Sequence, residues 1–172
     1  VRGSIAASLQ SVLPSLEKPG NFIRDSWDRL APLPGGAVIF SKLVGAAAPY
    51  TGSIDARVRE LRRGYARVEL ADRRKVRNHL ASLHAIALAN LAELTGNIAV
   101  AYTLPDDARF IVAGMKIDYL EKARGPITGT ASCPLFTSCE RAEYDIDVTM
   151  TNSGGEEVAR ATLRTLVGPK RR

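Results

Sequence analysis

Cysteine, histidine and aromatic side chains are scarce in this chain, and each scarcity closes off a kind of chemistry. The two cysteines, Cys133 and Cys139, stand six positions apart. That is neither a CxxC redox pair nor enough thiolate for a structural zinc site. The two histidines, His79 and His84, are five apart. No cysteine or carboxylate falls at matching spacing, so no metal is expected. Aromatics make up only 6% of the residues and do not interleave with the basic ones, so a base-stacking surface for nucleic acid is not expected. A secretory leader or membrane span is not expected either. The apolar stretch near the start is broken by Ser8, Gln10, Ser11 and Pro14, and Arg2 is its only early base. Reduced thiols, a cytoplasmic location and no membrane partner follow as expectations.

What is present is the composition of one folded unit. At 172 residues the chain can bury a sizeable core but is short for two ordinary domains. Hydrophobic residues at 45% and charged residues at 24% argue against disorder. The net charge of +6 suits an anionic partner, and nucleic acid, a membrane surface or a phosphate-bearing molecule would each fit that sign.

Residues 4–13 and 21–30 carry helical apolar spacing, the second through Phe22, Ile23, Trp27 and Leu30. Pro14, Pro19-Gly20 and the run Pro32 to Gly36 punctuate them, and a third helix is expected over 36–46. A helical preface over 1–50, packed on a main domain over 51–172, is the predicted organisation. From residue 52 the pattern changes. Segments 52–61 and 65–70 alternate apolar and polar residues around Arg63-Gly64, which predicts a hairpin. Four more strands are predicted over 109–120, 125–133, 141–151 and 156–167, the last two joined at Ser153-Gly154-Gly155.

Residues 82–101 are apolar on almost every side and rich in alanine, from Leu83 to Ala101. Such a helix must be buried. Ser82 is its expected N-cap, and Leu104-Pro105 its end. The predicted architecture is α+β: a mostly antiparallel sheet curled around one long central helix.

Asn90, Glu93 and Asn97 fall on one face of that helix. A buried carboxylate must be hydrogen-bonded, hydrated or shifted in pKa, and in that condition it suits a general base or nucleophile. The bland reading is three polar groups facing a subunit boundary. Arg77, Asn78, His79 and His84 cluster where the helix begins, and free N–H groups in its first turn would polarise a carbonyl oxygen. For His84 alone, a capping or core role is the plainer reading. Nine basic residues lie between Arg57 and Arg77, followed by Lys116, Lys122 and Arg124. They make either a solvated sheet face or a landing site for phosphate groups.

The chain at this point resembles the hotdog-fold thioesterases, especially the PaaI-like branch or a closely related uncharacterised hotdog family. That branch has Asn, then His-Gly-Gly six residues on, then an acid nine residues after the His. Here Asn78, His84 and Glu93 fall at both spacings, and the likeness extends over about residues 36–168. The resemblance implies an acyl-CoA or acyl-carrier thioesterase of hotdog fold, working as a homodimer or tetramer without a cofactor. Glu93 would be base or nucleophile, the Ala85 N–H would polarise the thioester carbonyl, and Asn78 would position water or substrate. Asn90, Arg77, Lys116 and Arg124 would contact substrate, coenzyme A entering only as part of it. Ala85-Ile86 stands where the branch has Gly-Gly. No hydroxyl appears near Val112, where some relatives place one; Thr95 and Tyr119 are the substitutes the sequence offers.

Two other readings stand beside this one. The protein could bind acyl thioesters without turnover. It could also be a hotdog hydratase or dehydratase pairing His79 with Glu93, although the Phe-Pro-Gly and Pro-Gly signatures of those enzymes are missing.

Overall fold

Among residues 20–170, which the computed structural model describes, the alternating segments become strands and the apolar segment becomes the rod they wrap. In chain order come α1 (Phe22–Leu30), α2 (Gly36–Ala47), the single turn α3 (Pro49–Gly52), β1 (Arg57–Arg62) and β2 (Tyr65–Leu70). A 3-10 turn (Arg74–Val76) leads to α4 (Ala85–Thr103), and then come β3 (Ala108–Tyr119), β4 (Ile127–Ser132), β5 (Ala142–Asn152) and β6 (Glu157–Pro169). The helix expected over 4–13 lies outside the described residues.

The strands form one six-stranded sheet in the order β1-β2-β4-β5-β6-β3, every neighbouring pair antiparallel. The Arg63-Gly64 hairpin is present, with Arg62 opposite Tyr65 and Gly64 at φ 77°. The first strand begins at Arg57 rather than at 52. Gly52 still belongs to α3, and Asp55 turns the chain at φ 50°, so the alternation read over 52–56 has no strand beneath it.

α4 lies in the hollow of the curled sheet. Leu91, Ala92, Ile98, Ala99 and Val100 are each at most 3% exposed, and Val68, Leu70, Ile127, Ile146, Met150 and Leu163 meet them from the strands at 0%. Each large side chain so buried contributes about 1.5–3 kcal/mol. The close fit depends on missing side chains. A Cβ on Gly96 of α4 would stand 2.3 Å from Leu163 Cδ1, and one on Gly129 of β4 would stand 2.7 Å from Thr95 Oγ1. α4 is long and apolar enough to cross a membrane by length and composition, yet it is mostly buried here as the core of the sheet.

The helical segment before β1 completes both ends of this arrangement. Asn21 caps α1 by accepting from the Arg24 N–H, and its Nδ2 donates to the carbonyls of Ala101 (2.7 Å) and Leu104 (3.1 Å). Arg24 donates to Leu104 as well (3.1 Å), so carbonyls that the end of α4 cannot satisfy internally find partners. Trp27 packs edge-to-face on Phe40 of α2, ring centroids 5.0 Å apart. Gly36 makes the turn between these helices possible, since any Cβ there would lie 1.7 Å from the Leu30 carbonyl oxygen. Ser41 of α2 accepts the Val58 N–H (2.9 Å), fastening the helix to β1.

Candidate active site

The approach to α4 is a tight loop tied by one amide side chain. Asn78 Oδ1 accepts from the Leu80 N–H (2.9 Å), the Ser82 N–H (3.3 Å) and the Ser82 hydroxyl (3.2 Å). The loop is closed tightly enough to hold Ala81 at φ 54°, in the left-handed region that costs a residue with a Cβ about 1–2 kcal/mol. The helix therefore starts later than expected. Ser82 is not the N-cap, because its hydroxyl is committed to Asn78; the cap is His84, whose Nδ1 accepts the Ile86 N–H at 3.1 Å. An acceptor at Nδ1 leaves the ring proton of a neutral His84 on Nε2. Ala85, the first helical residue, keeps an N–H that nothing accepts among the described residues.

Two neighbouring segments hold this start in place. Leu83 N–H donates to the Ala123 carbonyl and His84 N–H to the Val76 carbonyl, both at 2.8 Å. Asp72 joins the same corner, taking the Arg77 Nε at 2.6 Å and the Gly125 N–H at 2.9 Å. The Arg77 guanidinium holds the Asp72 carboxyl below its ordinary range, and Asp72 in turn raises Arg77. Tyr119, at the end of β3, donates its hydroxyl to the Ala85 carbonyl at 3.0 Å, and partial burial pushes its pKa up. Asn78, His84, Ala85, Arg77 and Arg124 thus come together at one end of α4. Thr95, the other hydroxyl the sequence offered, is fully buried and spends its Oγ1 on the Leu91 carbonyl at 2.7 Å.

α4 carries one charged side chain, Glu93, and the structure corrects its expected burial: Glu93 is exposed. The reason is geometric. Ile86, Ala89, Glu93 and Asn97 recur at helical spacing along the side of α4 that the sheet, α1 and α3 leave uncovered, where Ile86 is 55% exposed. Asn90 lies about 60° further round the helix. There it sinks under α3, its Nδ2 donating to the Tyr50 carbonyl at 3.1 Å. Its Oδ1 and that of Asn97 are buried without a hydrogen-bond partner among the described residues. Each such orphan is worth about 1–3 kcal/mol to whatever supplies a donor.

Lys116 is not brought to this corner. It pairs across β6 with Thr162 on the outer face of the sheet, away from α4, and lies 3.5 Å from Asp118. Composition and spacing singled out neither Asp72 as the brace of the corner nor Ile86 as its exposed apolar member. The position of Asp72, five residues before Arg77, is the one signal the sequence held.

Residues 36–167 match the family described as Domain of unknown function (DUF4442). No curated protein matches the chain. Among solved structures, the structural-genomics protein APC5556 is 31% identical at a TM-score of 0.75, the match spanning 86% of this chain and 99% of that one. PA5026 of Pseudomonas aeruginosa, named a protein of unknown function and probable thioesterase, is 24% identical at a TM-score of 0.70, over 80% and 97% of the two chains. A thioesterase family protein from Silicibacter pomeroyi is 17% identical at 0.63, over 75% and 96%.

Proposed function

From the premise that this chain belongs to the DUF4442 family and has the hotdog fold, we propose that it hydrolyses acyl thioesters, acyl-CoA being the substrate class and Glu93 the base. The observation that carries the reading is the placement of one carboxylate. Glu93 is the only charge on a helix sunk in apolar surroundings, and the first residue of the same helix keeps an N–H without an acceptor among the described residues. Names of fold relatives add support, two of the three structures above being called a probable thioesterase and a thioesterase family protein.

In the proposed reaction the thioester carbonyl oxygen accepts the Ala85 N–H, whose donor the positive end of α4 strengthens. Eight residues of helix separate this chain's Ala85 from its own Glu93 by about 12 Å. The Glu93 that takes the proton from water as the water oxygen attacks the carbonyl carbon therefore comes from a second copy of the chain. The tetrahedral oxyanion is held by the same N–H. As the carbonyl reforms, the carbon–sulfur bond breaks and the sulfur leaves with the proton held by Glu93. The products are a carboxylic acid and a thiol, and no cofactor is needed. His84 fixes the first turn through its cap. Asn78 acts through Nδ2, because its Oδ1 is spent on the loop. Arg77 and Arg124 receive the phosphates of coenzyme A.

A second copy of the chain is proposed to cover the strip. β3 pairs with β6 on one side only, and Met115 and Tyr119 on its inner face stay 41% and 46% exposed. Donors from that copy or from substrate would satisfy Asn90 and Asn97. Binding without turnover is the second reading, favoured by the Ile86 side chain standing where the resembled branch has glycine.

The test is thiol release from a panel of acyl-CoAs from acetyl to palmitoyl. Release on at least one member is expected. A folded protein that binds acyl-CoA and releases no thiol from any of them would favour the second reading and contradict the first.

A further inference from the structure

On the opposite face of the sheet, remote from α4, a second concavity of about 610 Å³ is lined by Arg109, Ile111, Arg141, Leu166 and Gly168 and the backbone between them. Its form follows from strand register. Arg109 of β3 is opposite Gly168 of β6, and Arg141 flanks the same glycine from the β5 side, just before Ala142 opposite Val167. The two arginines stand two strand spacings apart, about 9–10 Å at the backbone. Both lean onto the end of β6: Arg109 Nε donates to the Pro169 carbonyl at 3.1 Å, and a Cβ on Gly168 would lie 3.5 Å from Arg141 Cγ.

Neither guanidinium has a carboxylate partner among the described residues. Glu143, the nearest acid on this face of β5, pairs with Arg164 at 3.5 Å. Lys170 is turned elsewhere, its Nζ donating to the Gly20 carbonyl at 2.7 Å. Two residue pairs further along, and so on the same face, Ile111 and Leu166 sit opposite each other and are 65% and 38% exposed, an apolar shelf beside the two cations. A soluble protein seldom leaves two large aliphatic side chains paired in the open beside uncompensated charge.

We propose that this groove is a second ligand site, taking a nucleoside diphosphate with its phosphates between Arg109 and Arg141 and its base on Ile111 and Leu166. Guanidinium groups match phosphate oxygens in pairs, and two cations that no carboxylate pairs with, Glu143 being turned to Arg164, call for more than one negative charge. The aliphatic shelf calls for a flat apolar body attached to that anion. The cavity volume lies in the range of small-molecule sites. The site is independent of the hydrolysis proposed for the α4 corner, because it lies on the other face of the sheet.

Calorimetric titration of the full chain with ADP, and separately with inorganic pyrophosphate, tests this. One-to-one saturable binding of ADP is expected, weakened at least tenfold by Arg109→Ala or Arg141→Ala. Ile111→Ser is expected to weaken ADP several-fold and leave pyrophosphate unchanged. All three side chains are exposed, so these variants should fold, and unchanged melting would establish that they do. Absence of saturable ADP binding at millimolar concentration would overturn the proposal. So would ADP binding that survives the Arg109/Arg141 double substitution but is lost in Arg124→Ala, which would place the nucleotide beside α4.

Discussion

Among the described residues, Ala85 is the position in the first turn of α4 whose N–H has no acceptor. Proline is well tolerated there, and the preceding residue, His84 at φ −68° and ψ 139°, already has the extended backbone that a following proline requires. Ala85→Pro should therefore leave the melting temperature close to the wild-type value while lowering kcat by about 10²–10³, the usual cost of losing an oxyanion donor. Equal kcat in the two proteins would remove Ala85 from the mechanism. Asp72 makes a different prediction, through pH. Its carboxyl is held below the ordinary value of 3.8, first by the bond from Arg77, so its contribution to stability is present above that value and lost as pH falls through the lower folded-state value. The gap in urea midpoint between the wild type and Asp72→Asn should stay constant from neutral pH to about pH 5 and close below about pH 4. A gap that persists in acid would mean that the brace does not depend on the charge. Asn78, His84 and Glu93 were singled out together only through the family resemblance, which fixes them at spacings of six and nine; periodicity by itself put Glu93 on a polar face and left its role open. Neither revealed that Asn78 Oδ1 is consumed by its own loop, or that Glu93 faces out. Both depend on how neighbouring segments close around those positions.

At the scale of elements, the two periodicities did most of the work. The strands from β2 onward and α4 fall within a few residues of where alternation and all-round apolarity put them, since each pattern is dictated by the surface it must bury. Errors came where local chemistry replaced pattern. Residues 52–56 alternate but serve as the end of α3 and a turn, and Ser82 looks like a cap but serves the Asn78 loop. The fit between elements was not legible at all. Gly129 reads as a strand weakness in the sequence, whereas in the fold it is the space into which Thr95 of α4 fits. Gly129→Ala should cost about 1–3 kcal/mol through overpacking, and adding Thr95→Ala should recover part of that loss. Chemical denaturation of the single and double variants measures this coupling. Strict additivity would show that the two elements do not meet as described.

For the whole molecule, the sheet wrapped around a single helix explains why one carboxylate can be isolated and still reachable. Most of a helix circumference can be sunk into a curled sheet and its covering helices, and the remaining strip is then a side of the rod that solvent reaches. The sequence carried this architecture in the contrast between one segment apolar on all sides and six that alternate. Which strip stays open was not readable, because it is set by the curl of the sheet and by α2 and α3 lying over β1 and Asn90. The central claim is that this strip is catalytic through Glu93. Its most direct test is the kcat of Glu93→Gln on the best acyl-CoA substrate, read beside its melting temperature. Because Glu93 is exposed, the account predicts a change in stability within about 0.5 kcal/mol. Turnover should fall by about 10²–10⁴. A variant that melts normally and hydrolyses at the wild-type rate would contradict it.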